Sequence, residues 1–109
     1  GALDIPQLGL RIITEPAGDL ENSKTGFTVI PQGTVTLRCR MEGDSIRLSG
    51  GTKSVKKLFA DRKIPASQRL CIPIVADDAG ILGIYGIGVN QSRTATALPA
   101  LQIRFESIL

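Results

Sequence analysis

The chain has 109 residues, of which 42% are hydrophobic, and 13 Lys and Arg against 10 Asp and Glu give a net charge of +3. This length and hydrophobic fraction suit a single folded domain with its own core rather than a disordered chain. The chain contains no histidine and only 4% aromatic residues, which excludes histidine-based catalysis and His-ligated zinc and disfavours base stacking on single-stranded nucleic acid.

The N-terminal part is patterned as two short β-strands. Leu8–Thr14 is a β-type run that stops at Glu15-Pro16, and a polar loop follows it. Gly26–Ile30 is the second run, and it ends at Pro31-Gln32-Gly33, which has the composition of a turn. Apolar runs punctuated in this way predict strands.

The next two segments predict a β-hairpin. Thr34–Arg40 alternates polar and apolar residues, the pattern of a strand with one buried face. Met41–Asp44 is short enough for a tight connection into Ser45–Leu48, where Arg47 is expected to face outward. The residues expected on the buried faces of the two strands are Val35, Leu37, Cys39, Ile46 and Leu48.

A helical period begins after Ser49-Gly50-Gly51, whose glycines can let the backbone turn from the hairpin into a helix. Apolar residues recur at helical spacing, with Thr52 or Ser54 placed to cap the N-terminus. Proline disfavours helical geometry at the residue before it, so one short helix is predicted over about residues 53–63, and Pro65–Arg69 fits a further turn. The apolar residues that define the helix are Val55, Leu58 and Phe59.

The C-terminal part predicts three more strands. Cys71–Ala76 and Ile81–Tyr85 are apolar runs joined by a turn-like Asp77–Gly80, and the glycines that punctuate the second run predict a bulge or bend there. Leu101–Glu106 alternates apolar and polar residues, as a strand with one buried face does. Together the elements predict a compact, strand-rich α+β domain with one short central helix.

Neither the cysteines nor the glycine-rich stretch predicts a metal or nucleotide site. Cys39 and Cys71 are too few for a structural zinc site, and both are expected to be reduced and buried. Ser49–Ser54 reads SGGTKS, with Lys53 where the SGGxDS loop of ATP-dependent ligases has aspartate and Thr52 where a P-loop has glycine. We therefore expect no ATP site, no metal and no other cofactor in this chain.

No group of residues combines a nucleophile, a base and an oxyanion site, so no catalytic residue is predicted. Asp77-Asp78 is expected to be a solvated pair in its turn, and Tyr85 to belong to the core. Asp44 follows the glycine of the predicted hairpin connection, and it is expected either to cap backbone amides or to pair with Arg69.

The charge of the chain is unevenly distributed. The segment from Arg38 to Arg69 has nine basic and three acidic residues, a net charge of +6, whereas the other 77 residues have four basic and seven acidic residues, a net charge of −3. Such a segment can follow the phosphates of a polyanion, and the scarcity of aromatic residues favours a duplex over unstacked bases. The residues expected on this surface are Arg38, Arg40, Arg47, Lys53, Lys56, Lys57 and Lys63.

The charge alone leaves the ligand of this surface open. The backbone amides of Gly50 and Gly51 are expected near the helix start, where they can also contact a phosphate of an RNA backbone. The alternative is a basic face that is only solvated, in a protein-interaction or dimerisation module with no nucleic-acid role. No apolar run is as long as a membrane helix and no signal peptide is recognisable, so a cytoplasmic protein without membrane contact is expected.

One ordered series of short motifs resembles a known family. The motifs are Gly43-Asp44, Arg47-Leu48, Gly50-Gly51, Lys56-Lys57-Leu58-Phe59, Ile64-Pro65, Arg69 and Pro73-Ile74-Val75, followed by the glycine-rich strand Gly83–Val89. Over roughly Val35–Val89 this series resembles the C-terminal domain of bacterial tRNA(Ile)-lysidine synthetases. Glu42 departs from the family pattern, which more often has proline before Gly-Asp, and its charge weakens the local positive field.

The resemblance implies a tRNA-binding accessory domain with a β-sandwich-like α+β fold, similar to a module of the phenylalanyl-tRNA synthetase β subunit. In the family, a catalytic N-terminal domain uses ATP to attach lysine to the wobble cytidine of an isoleucine tRNA, while the C-terminal domain contacts the acceptor-stem duplex. The chain begins at Gly1 without methionine, so residues 1–109 are expected to be one non-catalytic domain of a larger ligase. The basic positions that the resemblance carries over are Arg47, Lys53, Lys56, Lys57 and Arg69.

Overall fold

Residues 1–65, 67 and 72–108 are the part of the chain that the computed structural model describes. Its strands are β1 (Ala2–Ile5), β2 (Leu10–Pro16), β3 (Gly26–Val29), β4 (Thr36–Arg38), β5 (Ser45–Leu48), β6 (Gly51–Ser54), β7 (Ile74–Asp77), β8 (Gly80–Ile84), β9 (Gly88–Val89) and β10 (Leu101–Ser107). The helix α1 (Val55–Asp61) follows β6, and a 3-10 turn (Pro6–Leu8) separates β1 from β2. Within these ranges no helix is long and apolar enough to cross a membrane.

The strands form two antiparallel sheets and a separate hairpin. The first sheet has the order β1-β2-β10-β3, and the second has the order β4-β7-β8-β9. Strands β5 and β6 pair with each other in the hairpin, directly before α1. This arrangement confirms the predicted strand-rich, sandwich-like α+β fold with a short helix.

The second sheet is the middle layer of the fold and is buried on both faces. Val75 and Leu82 pack with residues of the first sheet, whereas Ile74 and Ile84 pack with the hairpin and α1. Strands that are covered on both faces are apolar throughout, which explains the near-continuous apolar runs of the sequence. The layers are therefore the first sheet, the second sheet, and the hairpin with α1.

Each interface between these layers has its own hydrophobic core. The buried core between the two sheets comprises Ile5, Leu10, Ile12, Phe27, Val29, Val75, Leu82, Val89, Ile103 and Phe105. The core that holds the hairpin and α1 on the second sheet comprises Ile46, Val55, Leu58, Phe59, Ile74, Ile81, Ile84 and Ile87. The three apolar residues that defined the predicted helix all lie in this second core, so that prediction is confirmed.

The two sheets approach closely where Phe27 of β3 lies over Gly83 of β8. A Cβ atom at Gly83 would be 2.5 Å from Cε2 of the Phe27 ring, and the Phe27 side chain is fully buried. The register of β7 against β8 shifts between Val75 and Ala76, which leaves Leu82 as an extra residue in β8. This irregularity confirms the predicted bulge, and glycine at position 83 leaves the room that the ring needs.

The predicted hairpin between Thr34–Arg40 and Ser45–Leu48 is wrong. β4 pairs with β7 in the second sheet, and β5 pairs with β6 across the turn at Ser49-Gly50. The side chain of Leu37 packs against the core between the sheets, whereas that of Ile46 lies in the core under α1. The two strands belong to different layers and cannot pair, and residues 39–44 connect the layers.

The helix begins two residues later than predicted. Ser54 has an extended backbone, and its Oγ accepts a hydrogen bond from the N–H of Lys57 at 3.1 Å, so Ser54 is the N-cap. Lys53 therefore lies in β6 and not on the helix. The helix ends at Asp61, two residues before the predicted end, and the further turn predicted over Pro65–Arg69 lies mostly outside the described residues.

Two predictions about buried and solvated side chains are wrong. Cys39 is a free, exposed cysteine, because β4 ends at Arg38 and residue 39 belongs to the connecting loop. Cys71 lies outside the described residues. The Asp77 carboxylate is inaccessible to solvent, although its neighbour Asp78 is exposed as predicted.

The buried Asp77 carboxylate holds three loops together. It accepts hydrogen bonds from the guanidinium of Arg93 (3.1 Å from Nη1 to Oδ1) and from the backbone N–H groups of Gln32 (2.7 Å) and Ala79 (2.9 Å). The bond from Arg93 is the main cause that lowers the pKa of Asp77 to about 2, against the opposing effect of burial. The carboxylate therefore contributes to stability in its charged form.

We expect Gly83→Ala to destabilise the fold by about 1–3 kcal/mol, because the new Cβ overlaps the Phe27 ring. Urea denaturation measures this change in the free energy of unfolding. Phe27→Leu provides the control, since a smaller side chain relieves the overlap and should cost less in the Gly83→Ala background than in the native chain. Equal costs in both backgrounds would show that the two residues do not constrain each other.

We expect stability to fall as the pH decreases from about 4 to about 2. The pKa of Asp77 in the fold is lower than its ordinary value of 3.8, so its stabilising contribution is present above pH 4 and disappears as the carboxylate is protonated. Asp77→Asn should remove roughly 2 kcal/mol of stability at pH 7 and flatten this part of the pH profile. The exposed neighbour offers a matched control, Asp78→Asn, which should leave the profile unchanged.

Candidate nucleic-acid interface

The hairpin and α1 form one unit that presents most of the predicted basic residues. The backbone N–H of Val55 at the start of α1 donates to the carbonyl of Asp44 before β5, at 2.9 Å. Ile46 of β5 and Leu58 and Phe59 of α1 share one core. The hairpin and the helix are therefore fixed to each other at both their backbone and their apolar faces.

Lys53, Lys56 and Lys57 are the exposed cations of this unit. None of the three makes an ion pair with a carboxylate of the described residues. Lys56 and Lys57 project from the exposed face of α1, as the helical period predicts. Lys53 is opposite Ile46 in the hairpin register. The methylene groups of its side chain therefore start on the core side of the hairpin, while its ammonium group reaches solvent.

A shallow cavity of about 280 Å³ brings part of this set together. Lys53 and Lys56 line it together with Arg40 of the loop after β4, and the acidic residues Glu42 and Asp44 lie on the same wall. The loop after β4, the hairpin and the start of α1 thus meet at this cavity. The cavity mixes charges of both signs, in contrast to the exposed face of α1.

Arg38 was predicted to face the ligand, but its guanidinium is bound within the fold. Its Nη1 and Nη2 donate to the two carboxylate oxygens of Asp44 at 2.8 and 3.0 Å, and Nη1 also donates to the carbonyl of Cys39 at 3.0 Å. Asp44 in addition accepts from the backbone N–H of Met41 at 2.7 Å. The prediction that Asp44 binds backbone amides is therefore confirmed, and its charged partner in the described residues is Arg38.

The environment of Asp44 favours its charged form. Burial acts to raise the pKa of this carboxyl, but the hydrogen bonds from Arg38 and Met41 and the charges of Arg38 and Arg40 lower it below its ordinary value of 3.8. A charged Asp44 holds the end of β4 to the start of β5. This contact orients the hairpin that carries Lys53.

The remaining predicted residues are spread over several places. Arg40 is largely buried, and its Nε has no hydrogen-bond partner in the described part of the chain. Arg47 is exposed opposite Thr52, on the hairpin face away from Lys53. Lys63 follows α1 with a φ of 56°, and it is exposed. Arg69 lies outside the described residues.

The glycines predicted to contact phosphate lie in the hairpin turn and not at the helix start. Gly50 is exposed within the turn, and Gly51 follows it as the first residue of β6, with a φ of 113° that L-residues rarely adopt. The turn in which they lie lines a second and larger cavity.

That larger groove, of about 560 Å³, brings together two cations that sequence reasoning missed. Lys24 from the loop before β3 and Arg62 after α1 line it together with Lys53. Lys24 is remote in sequence from the basic segment 38–69, and no local pattern indicates that Lys24 lies next to Lys53 in the fold. In a helix that continued past residue 62, Arg62 would lie on the apolar side. Because α1 ends at Asp61, Arg62 is the C-cap and its side chain is exposed.

No cluster of three or more His, Cys, Asp or Glu side chains suitable for a metal occurs in residues 1–65, 67 and 72–108. What these residues do provide is a set of exposed amines and guanidinium groups on a rigid hairpin and helix. Such groups bind phosphates by charge and hydrogen bonding. The arrangement is therefore suited to a polyanion.

A family model and a solved structure that match this chain are both described as TilS C-terminal domains. The family of TilS substrate C-terminal domains matches residues 35–105 of the chain. A solved structure described as the crystal structure of a TILS C-terminal domain has a TM-score of 0.81 and 25% sequence identity, and the match covers 100% of this chain and 92% of that one.

Two curated proteins with similar sequences have the same name. The tRNA(Ile)-lysidine synthase of Clostridioides difficile (strain 630) is 39% identical over 92 residues, which is 82% of this chain and 20% of that protein. The protein of the same name from Bacillus subtilis (strain 168) is 45% identical over 56 residues, 49% of this chain and 12% of that protein. The chain spans a fifth or less of the length of these two relatives.

We expect the pair of Arg38 and Asp44 to be coupled by about 1–3 kcal/mol, because removing either partner leaves a half-buried charge without its bidentate hydrogen bonds. A double-mutant cycle of Arg38→Met and Asp44→Ala in urea denaturation measures the coupling. The exposed pair of Asp4 and Arg11 is the control, and a clearly smaller coupling is expected there because solvent screens both charges. A coupling at Arg38 no larger than the control would rule out the orienting role of Asp44.

Proposed function

The chain belongs to the TilS substrate C-terminal domain family, and from this we propose that it is the tRNA-binding accessory domain of a tRNA(Ile)-lysidine synthase. It contacts the acceptor-stem duplex of an isoleucine tRNA through the hairpin and α1. The ATP-dependent attachment of lysine to the wobble cytidine takes place in a separate N-terminal domain of the same protein. The chain itself binds neither ATP nor lysine and performs no chemistry.

The observation that carries this proposal is the state of the lysines on the hairpin and α1. Lys53, Lys56 and Lys57 are exposed and make no ion pair within the described residues, whereas the nearby carboxylate of Asp44 is bound to Arg38. Unpaired cations on a rigid support release counterions when they meet phosphates, and this release drives binding to nucleic acid. The carboxylate of Asp44 is thus neutralised by Arg38 and makes no ion pair with these lysines.

The aromatic residues favour a duplex as the ligand. The chain has four, and Phe27, Phe59 and Phe105 are buried in the two cores. Tyr85 is half-buried with its ring centroid 5.0 Å from that of Phe105. None of the four offers an exposed ring on which a base can stack, so contacts to the backbone of a paired stem explain the surface better than contacts to unpaired bases.

We expect Lys56→Gln with Lys57→Gln to weaken binding to an acceptor-stem duplex and to reduce its salt dependence. Each phosphate contact contributes about 0.9 to the slope of log K against log salt concentration, so the slope should decrease by about 1.8. Fluorescence anisotropy over a range of salt concentrations measures both the affinity and the slope.

The control for this pair of substitutions removes the same charge elsewhere. Arg11 and Arg104 lie on the first sheet and are paired with Asp4, Glu15 and Glu106. Arg11→Gln with Arg104→Gln should leave the slope within about 0.3 of the native value. If this control reduces the slope as much as the lysine pair does, net charge rather than the proposed surface drives binding, and a slope unchanged by the lysine pair would contradict the proposal directly.

A further inference from the structure

We propose that the 560 Å³ groove lined by Lys24, Lys53 and Arg62 binds a terminal nucleotide of the RNA through its 5′ phosphomonoester. This inference rests on the proposed function and names the part of the RNA that the groove receives. The shared chemistry is a nucleoside monophosphate, which either the end of a duplex or a free nucleotide can supply, and the geometry favours the end of a duplex.

Three separate segments of the fold form the walls of the groove. Residues 22–24 precede β3, the turn at Ser49 and Gly50 joins β5 to β6, and Asp61-Arg62 ends α1. Residues of β9 and the following Gln91 complete the lining. The three cations come from the loop before β3, from β6 and from the end of α1, so the positive charge of the groove depends on these three parts of the fold meeting.

Hydrogen bonds fix the wall that carries Lys24. The side chain of Asn22 accepts from the backbone N–H of Thr28 at 2.7 Å, and the carbonyl of Lys24 accepts from the N–H of Gly86 at 2.8 Å. Thr28 is itself fully buried. The loop that carries Lys24 is thereby attached both to β3 and to the turn after β8.

The buried amide of Asn90 fixes the wall that carries the hairpin. Its Nδ2 donates to the carbonyl of Ile81 at 2.9 Å, and its Oδ1 accepts from the N–H of Arg47 at 3.3 Å. The N–H of Gln91 donates to the carbonyl of Arg47 at 2.8 Å. The hairpin is thus tied to the second sheet beside the groove, and a groove held in this way needs little reorganisation to bind a ligand.

The lining of the groove has the two parts that a nucleotide requires. Apolar side chains of Leu48, Leu58, Ile87 and Val89 contribute to the lining. The cations Lys24, Lys53 and Arg62 are exposed, without ion pairs in the described residues, and face one carboxylate, that of Asp61. Three positive charges against one leave an excess of +2.

The excess charge of +2 in the groove matches the phosphate at the end of an RNA strand better than a phosphate in its interior. A phosphomonoester carries about 1.5 to 2 negative charges at neutral pH, whereas an internal phosphodiester carries about one. The volume of the groove lies within the range of sites for small molecules, and it exceeds what a phosphate group alone needs. Lys53 also lines the cavity beside Lys56, so a duplex lying on α1 can place its end at the groove.

The experiment compares two forms of one acceptor-stem duplex, with a 5′ phosphate and with a 5′ hydroxyl, by fluorescence anisotropy against the 109-residue chain. We expect the phosphorylated form to bind about tenfold more tightly. Lys24→Gln and Arg62→Gln should each reduce this ratio toward one, because each removes a cation that attracts the more highly charged 5′ phosphate more strongly than an internal phosphate. Lys24→Arg, which keeps the charge, should preserve most of the ratio, and Lys57→Gln should weaken both forms equally.

The results separate this inference from the proposed function. If both duplexes bind equally well, or if the ratio survives in Lys24→Gln and Arg62→Gln, the groove is not the phosphomonoester site and the inference is wrong while duplex binding stands. If neither duplex binds, the proposed function fails. An NMR titration with AMP then tests whether the groove binds a free nucleotide. Amide shifts at Lys24, Gly88 and Gln91 with AMP but not with adenosine or inorganic phosphate would support a free nucleotide as the ligand, and their absence would overturn the site.

Discussion

The ring of Phe27 rests on the backbone of Gly83, and this contact sets the distance between the two sheets. Because a Cβ at position 83 would be 2.5 Å from the ring, the ring can occupy this position only if residue 83 is glycine. The bulge at Leu82 makes this contact possible by directing that residue and its neighbour to the same face of β8. The opposite face of the second sheet, with Ile74 and Ile84, is left to support the hairpin and α1.

Ion pairing within the fold separates structural charges from those available to a ligand. Asp77 and Asp44 bind Arg93 and Arg38, and each carboxylate also accepts backbone N–H groups. These pairs are partly buried and fix loops, while the lysines of the hairpin and α1 remain exposed. A chain with a net charge of only +3 thereby keeps lysines on the hairpin and α1 that are exposed and make no ion pair within the described residues.

Local patterns predicted the candidate site only in part. Lys56 and Lys57 follow from the period of α1, because exposure on a helix depends on spacing alone. Lys53 was misplaced on the helix because the pairing of β6 with β5 extends through Ser54, which was one of the two predicted caps, and strand pairing is not visible in the local pattern. Arg38 was expected to be free because its bond to Asp44 spans a loop whose path no periodicity describes.

The sequence by itself determined the strand-rich α+β fold, the apolar strands of the middle sheet, the helix and the uneven charge, because each depends on neighbours within a few residues. An ordered series of short motifs in the sequence also indicated the family. Tertiary structure alone decided which strands pair, which arginine is neutralised, and that Lys24 and Arg62 meet Lys53 at one groove. These outcomes depend on the order in which layers stack, and stacking joins residues that share no local pattern.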